Sequence, residues 1–212
     1  MMKDVPGPMT KYESYALSEW KDFQASHERF EASMAAVRDR KVSRVLDVGC
    51  GAGQELLPFV QNLGSRVTGV DVSPEAVEIA RRQFSKLGYE GQSEFVCSPA
   101  ESLPFESGTF DVVICRLALP YTRNEQALAE MARVLRRGGL LILKIHHARW
   151  YGRRFWRALR SGHLHDAAVF ARSLLNGTFY HLTGRQPQTR LLGGEVFQTR
   201  WMLRRIMSRF GL

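Results

Sequence analysis

RVLDVGCGAGQELLPFVQNLGSRVTGVDVS, residues 44–73, decides the fold. It opens on a short apolar run (Val45, Leu46, Val48), turns through Gly49, Gly51 and Gly53, continues as a helical stretch, and closes on a second β-branched run ending at Asp71. That order is strand, loop, helix, strand. Glycine at alternate positions lets the backbone take φ > 0 and lets a ligand lie against main chain that a Cβ would block. An acidic residue at the carboxyl end of the second strand is placed to accept hydrogen bonds from a ribose diol. The unit therefore predicts a nucleoside-cofactor site.

The spacing narrows the cofactor. Nicotinamide and flavin sites use G-x-G-x-x-G, with the third glycine packing the helix on the sheet and a pyrophosphate at the helix N-terminus. Here the glycines run G-x-G-x-G, and Gln54 follows the last of them. Asp47 lies two residues before Gly49, a poor neighbour for a pyrophosphate and a good one for a cation. The combination LDVGCGAG followed by GVD resembles motif I and the acidic strand end of class I S-adenosylmethionine (AdoMet) dependent methyltransferases. The resemblance implies AdoMet as cofactor, a sulfonium with an amino acid in place of phosphates. It also implies cofactor contacts at Asp47, Gly49, Gly51, Gly53, Asp71, Val72, Ala100, Glu101 and Arg116.

A chain of 212 residues suits one domain with a substantial core, and 44% apolar with 24% charged residues is ordinary for a globular protein. The first residues, MMKDVPGPMTKYE, carry charges and prolines without an apolar centre, so no signal peptide is expected. No apolar run approaches about 20 residues, and a cytoplasmic protein is the expectation. Cys50, Cys97 and Cys115 lie in or beside expected strands without metal-ligand spacing, and read as buried thiols. The net charge of +9 is uneven. From Lys144 onward lie 13 of the 30 Lys and Arg but 2 of the 21 Asp and Glu. Such a region suits nucleic acid, an anionic membrane face or an acidic substrate, or is a solvated helix surface.

Taken in order, residues 10–39 have helical periodicity with aromatic anchors Tyr12, Tyr15, Trp20, Phe23 and Phe30. Residues 1–41 are expected as a helical lid, where the resemblance would let Tyr12 or Tyr15 shield the sulfonium. The alternative is that these aromatics fix the helix to the sheet edge. Strands are expected at 44–48, 66–71, 93–97 and 110–115, with helices at 53–63, 74–87 and 124–136. Ser73-Pro74-Glu75 is a helix start: a serine cap, proline in the first turn and an acid near the positive end. Strand and helix alternate throughout, which specifies a right-handed α/β sheet. The expected fold is thus a Rossmann-like doubly wound parallel sheet of the methyltransferase type. Residues 42–147 would form the AdoMet-binding core and 148–212 a helical, basic region.

The stretch SPAESLPFESGTFDVVIC resembles the small-molecule branch of these methyltransferases, which includes quinone-biosynthesis members. An Asp that binds the adenine amino group there is replaced by Pro99, which has neither a carboxylate nor an N–H. The backbone of Ala100 and the side chain of Glu101 are the substitutes, at a loss of about 1 kcal/mol. Arg116, at the end of the fourth strand, would bind an acidic substrate or pair with Asp47 or Glu101. LRRGGLLILKI closes the helix, glycine turn and fifth strand, so the resemblance covers residues 42–145.

Beyond it, His146 and His147 stand where either would take a proton from a substrate hydroxyl or amine, the alternative being structural histidines. His163 and His165 form only an H-x-H pair, and no metal site is expected. Residues 150–176 read as an amphipathic helical insertion that would roof a substrate pocket or lie on a membrane surface. Residues 195–210 read as a helix with no chain left for two further strands, so five strands are expected instead of seven. The reading is a small-molecule methyltransferase acting by in-line transfer to O, N or C. The alternatives are an RNA-modifying methyltransferase, disfavoured by the lack of an N/D-P-P-Y/F motif, and a non-catalytic AdoMet-binding scaffold.

Overall fold

The computed structural model describes residues 10–187 and 195–212, without the side chains of residues 11–13, 15, 24 and 27–30. The chain divides into two compact units, Met1–Pro99 with Phe110–Ile114, and Ala100–Thr109 with Cys115–Leu212. Five parallel strands form one sheet: β1 (Arg44–Val48), β2 (Arg66–Asp71), β3 (Ser93–Cys97), β4 (Phe110–Arg116) and β5 (Leu135–Lys144). Their order is β3-β2-β1-β4-β5. Chain order reverses across β1, which puts a topological switch point at its carboxyl end.

The first unit begins with α1 (Lys11–Ala25) and α2 (His27–Val37). The expected single helix is broken at Ser26, whose φ of −101° and ψ of 89° leave the helical region. Serine and histidine are weak helix formers, and Ser26 N–H bonds back to the Phe23 carbonyl at 3.1 Å. Trp20 and Phe23 are buried, and Trp20 meets Phe84 edge-on at 6.1 Å. These two are anchors, whereas the side chains of Tyr12, Tyr15 and Phe30 lie outside the described residues.

β1 is buried from Val45 to Val48, as a central parallel strand must be. It is in register with β2 (Leu46 beside Thr68, Asp47 beside Gly69) and with β4 (Asp47 beside Ile114). Asp111 Oδ2 accepts the Ser43 and Arg44 N–H groups at 2.6 and 2.8 Å, tying the start of β1 to its neighbour. After the glycine loop a 3-10 turn (Gln54–Leu56) leads into α3 (Leu57–Leu63). α4 (Pro74–Lys86) starts as read, with Ser73 Oγ accepting the Ala76 N–H at 3.2 Å. Replacing Ser73 by alanine is expected to lower unfolding stability by about 1 kcal/mol in urea titrations. Its apolar side sets Phe84 against Phe95 at 5.0 Å. Cys97, at the end of the edge strand β3, is exposed rather than buried, while Cys50 and Cys115 are buried as expected.

In the second unit, α5 (Asn124–Val134) stops two residues earlier than its sequence suggests. Leu135 is already extended (φ −76°, ψ 132°), so the double-arginine segment belongs to β5, which bends at Gly138 with φ 72°. α6 (Ala148–Arg160) and α7 (Leu164–Thr183) form a helical hairpin where one insertion is expected. The C-terminal helix α8 (Arg200–Met207) begins at Arg200, not Glu195. The residues before it are not helical, and Val196, Phe197 and Gln198 among them are buried. Phe197 stacks on His181 at 4.7 Å and fills the space of a missing side chain at Gly177, where a Cβ would lie 2.2 Å from the ring. Thr199 then caps α8 by accepting the Met202 N–H at 3.4 Å. Among the described residues no helix is long and apolar enough to cross a membrane.

Candidate cofactor and acceptor site

The loop after β1 places Gly49, Gly51 and Gly53 at φ of 75°, 54° and 82°, so each takes the left-handed conformation that side chains resist. A Cβ on Gly53 would also lie 2.9 Å from the Phe95 ring. Two main-chain bonds fix the loop to the neighbouring strand, with Gly49 and Cys50 donating to the Val70 carbonyl at 2.7 and 3.0 Å. Asp71 then fastens it from the side. Its Oδ2 accepts the Gly51 N–H at 2.9 Å and its Oδ1 the Ser73 N–H at 3.0 Å. Each carboxylate oxygen has a second acceptor site, so a diol donor can still be taken up. Val72, next in sequence, is 72% exposed, an apolar surface beside the acid suited to covering a base.

Asp47 is the electrostatic centre of this unit. It is 1% exposed, and its Oδ1 is buried with no hydrogen-bond partner. Burial, followed by the nearby carboxylates of Glu55 and Asp71, pushes its carboxyl well above the usual range. The same surroundings push the Cys50 thiol up. Glu55 is itself buried, and the sequence reading did not single it out. A cation beside Asp47 would offset both the burial and the crowding of negative charge. Three left-handed glycines, an orphaned carboxylate oxygen and a second carboxylate with spare acceptor positions fit a cationic nucleoside.

The sign of the resulting pH dependence follows from linkage. Because folding raises the Asp47 pKa, the ligand-free protein holds that proton more tightly than the unfolded chain. Its stability therefore falls as pH rises from the unfolded carboxylate value toward the raised folded one. Asp47→Asn is expected to raise the melting temperature of the ligand-free protein at neutral pH. A bound cation reverses the preference and releases the proton, so affinity should rise with pH through the same window. Calorimetry in buffers of different ionisation enthalpy would detect the released proton.

The second unit holds the remaining residues of the reading. Ala100 sits half-buried in the turn after Pro99. Glu101 Oε1 accepts the Arg123 N–H at 2.7 Å and lies 3.7 Å from the Arg123 Nε, so this oxygen serves the loop before α5. Arg116 is half-buried at the end of β4, and Leu117 after it adopts φ 60°, a strained conformation for leucine. Leu117 N–H is held by the Lys144 carbonyl at 2.8 Å. Nothing in local sequence announces this. Nor does sequence show the clamp on residues 103–105. There Arg133 donates to the carbonyls of Leu103 and Phe105 at 3.0 and 2.7 Å, and Glu130 accepts the Leu103 N–H at 2.8 Å. Bonding to Arg133 lowers the Glu130 pKa.

The two candidate histidines are used differently. His147 Nδ1 accepts the Arg149 N–H at 3.2 Å and so caps α6. His146 stacks on Trp150 at 3.8 Å with planes 5° apart. Burial, then Lys144 and Arg154, lower the pKa of its imidazole, which favours the neutral ring. Tyr151 is buried beside it and donates to Glu195 Oε1 at 3.2 Å.

Residues 46–143 match the family described as Methyltransferase domain. This stretch has the class I methyltransferase fold. Sterol 4-C-methyltransferase strm-1 of Caenorhabditis elegans is 34% identical over 99 residues, which are 46% of this chain and 29% of that protein. Ubiquinone/menaquinone biosynthesis C-methyltransferase UbiE of Azotobacter vinelandii is 35% identical over 118 residues, 54% of this chain and 46% of that one. The crystal structure of YcgJ from Bacillus subtilis has a TM-score of 0.52 at 33% identity, covering 57% of this chain and 52% of that chain. The chain spans less than half the length of strm-1 or UbiE. The matched stretch runs from within β1 to within β5, and α6 to α8 lie beyond it.

Proposed function

We propose that this protein binds S-adenosylmethionine and transfers a methyl group to a small-molecule acceptor. The observation that carries the reading is Asp47, a fully buried carboxylate with an orphaned oxygen at the root of a left-handed glycine loop. A pyrophosphate would be repelled there, whereas a cationic ligand is drawn in. Bound S-adenosylmethionine supplies a methyl on a positively charged sulfur, open to in-line attack by O, N or C. Within the first unit, Asp47 would hold the cationic part, Gly49, Gly51 and Gly53 would admit it against bare main chain, Asp71 would take the ribose hydroxyls, and Val72 would cover the adenine. Ala100, Glu101 and Arg116 are carried over on the resemblance alone.

Such a transfer asks the chain chiefly to orient the acceptor and exclude water. Where the acceptor carries a hydroxyl or amine proton, His146 is the group we assign to accept it, since its surroundings favour the neutral ring and Trp150 stacks on it. The sterol and quinone methyltransferases among the relatives favour a small, largely apolar acceptor. Incubating the protein with a metabolite extract and methyl-labelled S-adenosylmethionine, followed by mass spectrometry, tests the reading. A labelled small molecule supports it; label found only in RNA, or none despite calorimetric binding, rejects it.

A further inference from the structure

Helix α6 carries five arginines and no acidic residue in 13 positions. At 3.6 residues per turn, Arg149, Arg153, Trp156, Arg157 and Arg160 fall within an arc of about 100°. All five are exposed, while Tyr151 and Ala158 on the other side are buried. The helix thus turns a basic stripe outward. Among the described residues none of these four guanidinium groups has a carboxylate partner.

The stripe runs into a tight turn that joins α6 to α7. Gly162, at φ 71°, donates to the Leu159 carbonyl at 3.3 Å, and His163 to the Ala158 carbonyl at 2.9 Å. This turn leaves Leu159 42% and Leu164 68% exposed, next to Trp156 at 58%. Large apolar side chains at the tip of a hairpin gain nothing from water. Set among guanidinium groups, they have the composition of a segment that sinks into the headgroup region of a membrane, where arginine stems lie along apolar surface and their heads reach phosphate.

We propose that the α6–α7 tip docks on an anionic lipid bilayer. Trp156, Leu159 and Leu164 enter the boundary between headgroups and acyl chains, and Arg153, Arg157 and Arg160 pair with lipid phosphates. A second copy of the chain is a poor occupant, because two such stripes repel. Nucleic acid would satisfy the arginines and leave both leucines in water. The docking does not depend on the methyl-transfer reading, since it needs neither cofactor nor acceptor.

The test is sedimentation of the full chain with vesicles of phosphatidylcholine alone, or of phosphatidylcholine mixed with phosphatidylglycerol. Partitioning should be at least about tenfold greater on the anionic vesicles and should fall as salt is added. Arg153→Glu with Arg157→Glu should abolish it, and Leu159→Ser with Leu164→Ser should reduce it about tenfold. These side chains are exposed, so circular dichroism should show the variants folded. Equal partitioning on both vesicles, binding that survives charge reversal, or retention of an RNA oligonucleotide without vesicle binding would each overturn the proposal.

Discussion

Asp71→Ala is expected to raise the dissociation constant for S-adenosylmethionine about 100-fold in isothermal titration calorimetry. The carboxylate performs two tasks at once. It accepts main-chain donors from Gly51 and Ser73, which sets the loop between β1 and α3 and the entry to α4. Its remaining acceptor positions are those a ribose diol would use. Hydrogen bonds to a charged group contribute about 1.5–3 kcal/mol each, so losing the ligand's share and slackening the loop together gives the stated factor. Asp71→Asn keeps an acceptor oxygen and should fall between the two. A dissociation constant for the alanine variant within threefold of the parent would remove Asp71 from the site.

Gly69→Val should be the most damaging single change in the first unit, lowering unfolding stability by about 3 kcal/mol or more. Gly69 lies in β2 beside Asp47. A Cβ built there would stand 2.6 and 2.7 Å from two Phe95 ring carbons and 2.8 Å from the Cys50 sulfur. None of these can retreat cheaply. Phe95 is held edge-on by Phe84, which in turn meets Trp20, and Cys50 belongs to the glycine loop. Urea unfolding would measure the loss, and Phe95→Ala in the same chain should restore part of it by opening the space. An unchanged urea midpoint for Gly69→Val would show that the ring stack is softer than its geometry implies.

The sheet was legible because parallel strands buried on both faces are written as apolar runs, and Val45–Val48, Val67–Val70 and Phe110–Cys115 are such runs. The start of α4 was legible for a local reason, since Ser73, Pro74 and Glu75 are neighbours. Features set by distant parts of the chain were not. Arg133 grips carbonyls 28 and 30 residues away. Val196 and Phe197 fall within the expected helix, yet both are buried outside it, and the Phe197 ring sits where a side chain at Gly177 would lie. Sequence marks Asp47 as a cation's neighbour, but only folding shows that the carboxyl is sealed from water and crowded by Glu55. Cys97 misled for a related reason, because strand membership does not say which strand ends at an edge.

That misreading leaves a practical handle. Cys50 and Cys115 are buried and Cys97 is exposed, with its sulfur 3.6 Å from the Val72 carbonyl. A maleimide dye would therefore label one position without any engineering. From there its emission would report arrival of an adenine at Val72, turning an unremarkable thiol into an optical sensor for occupancy.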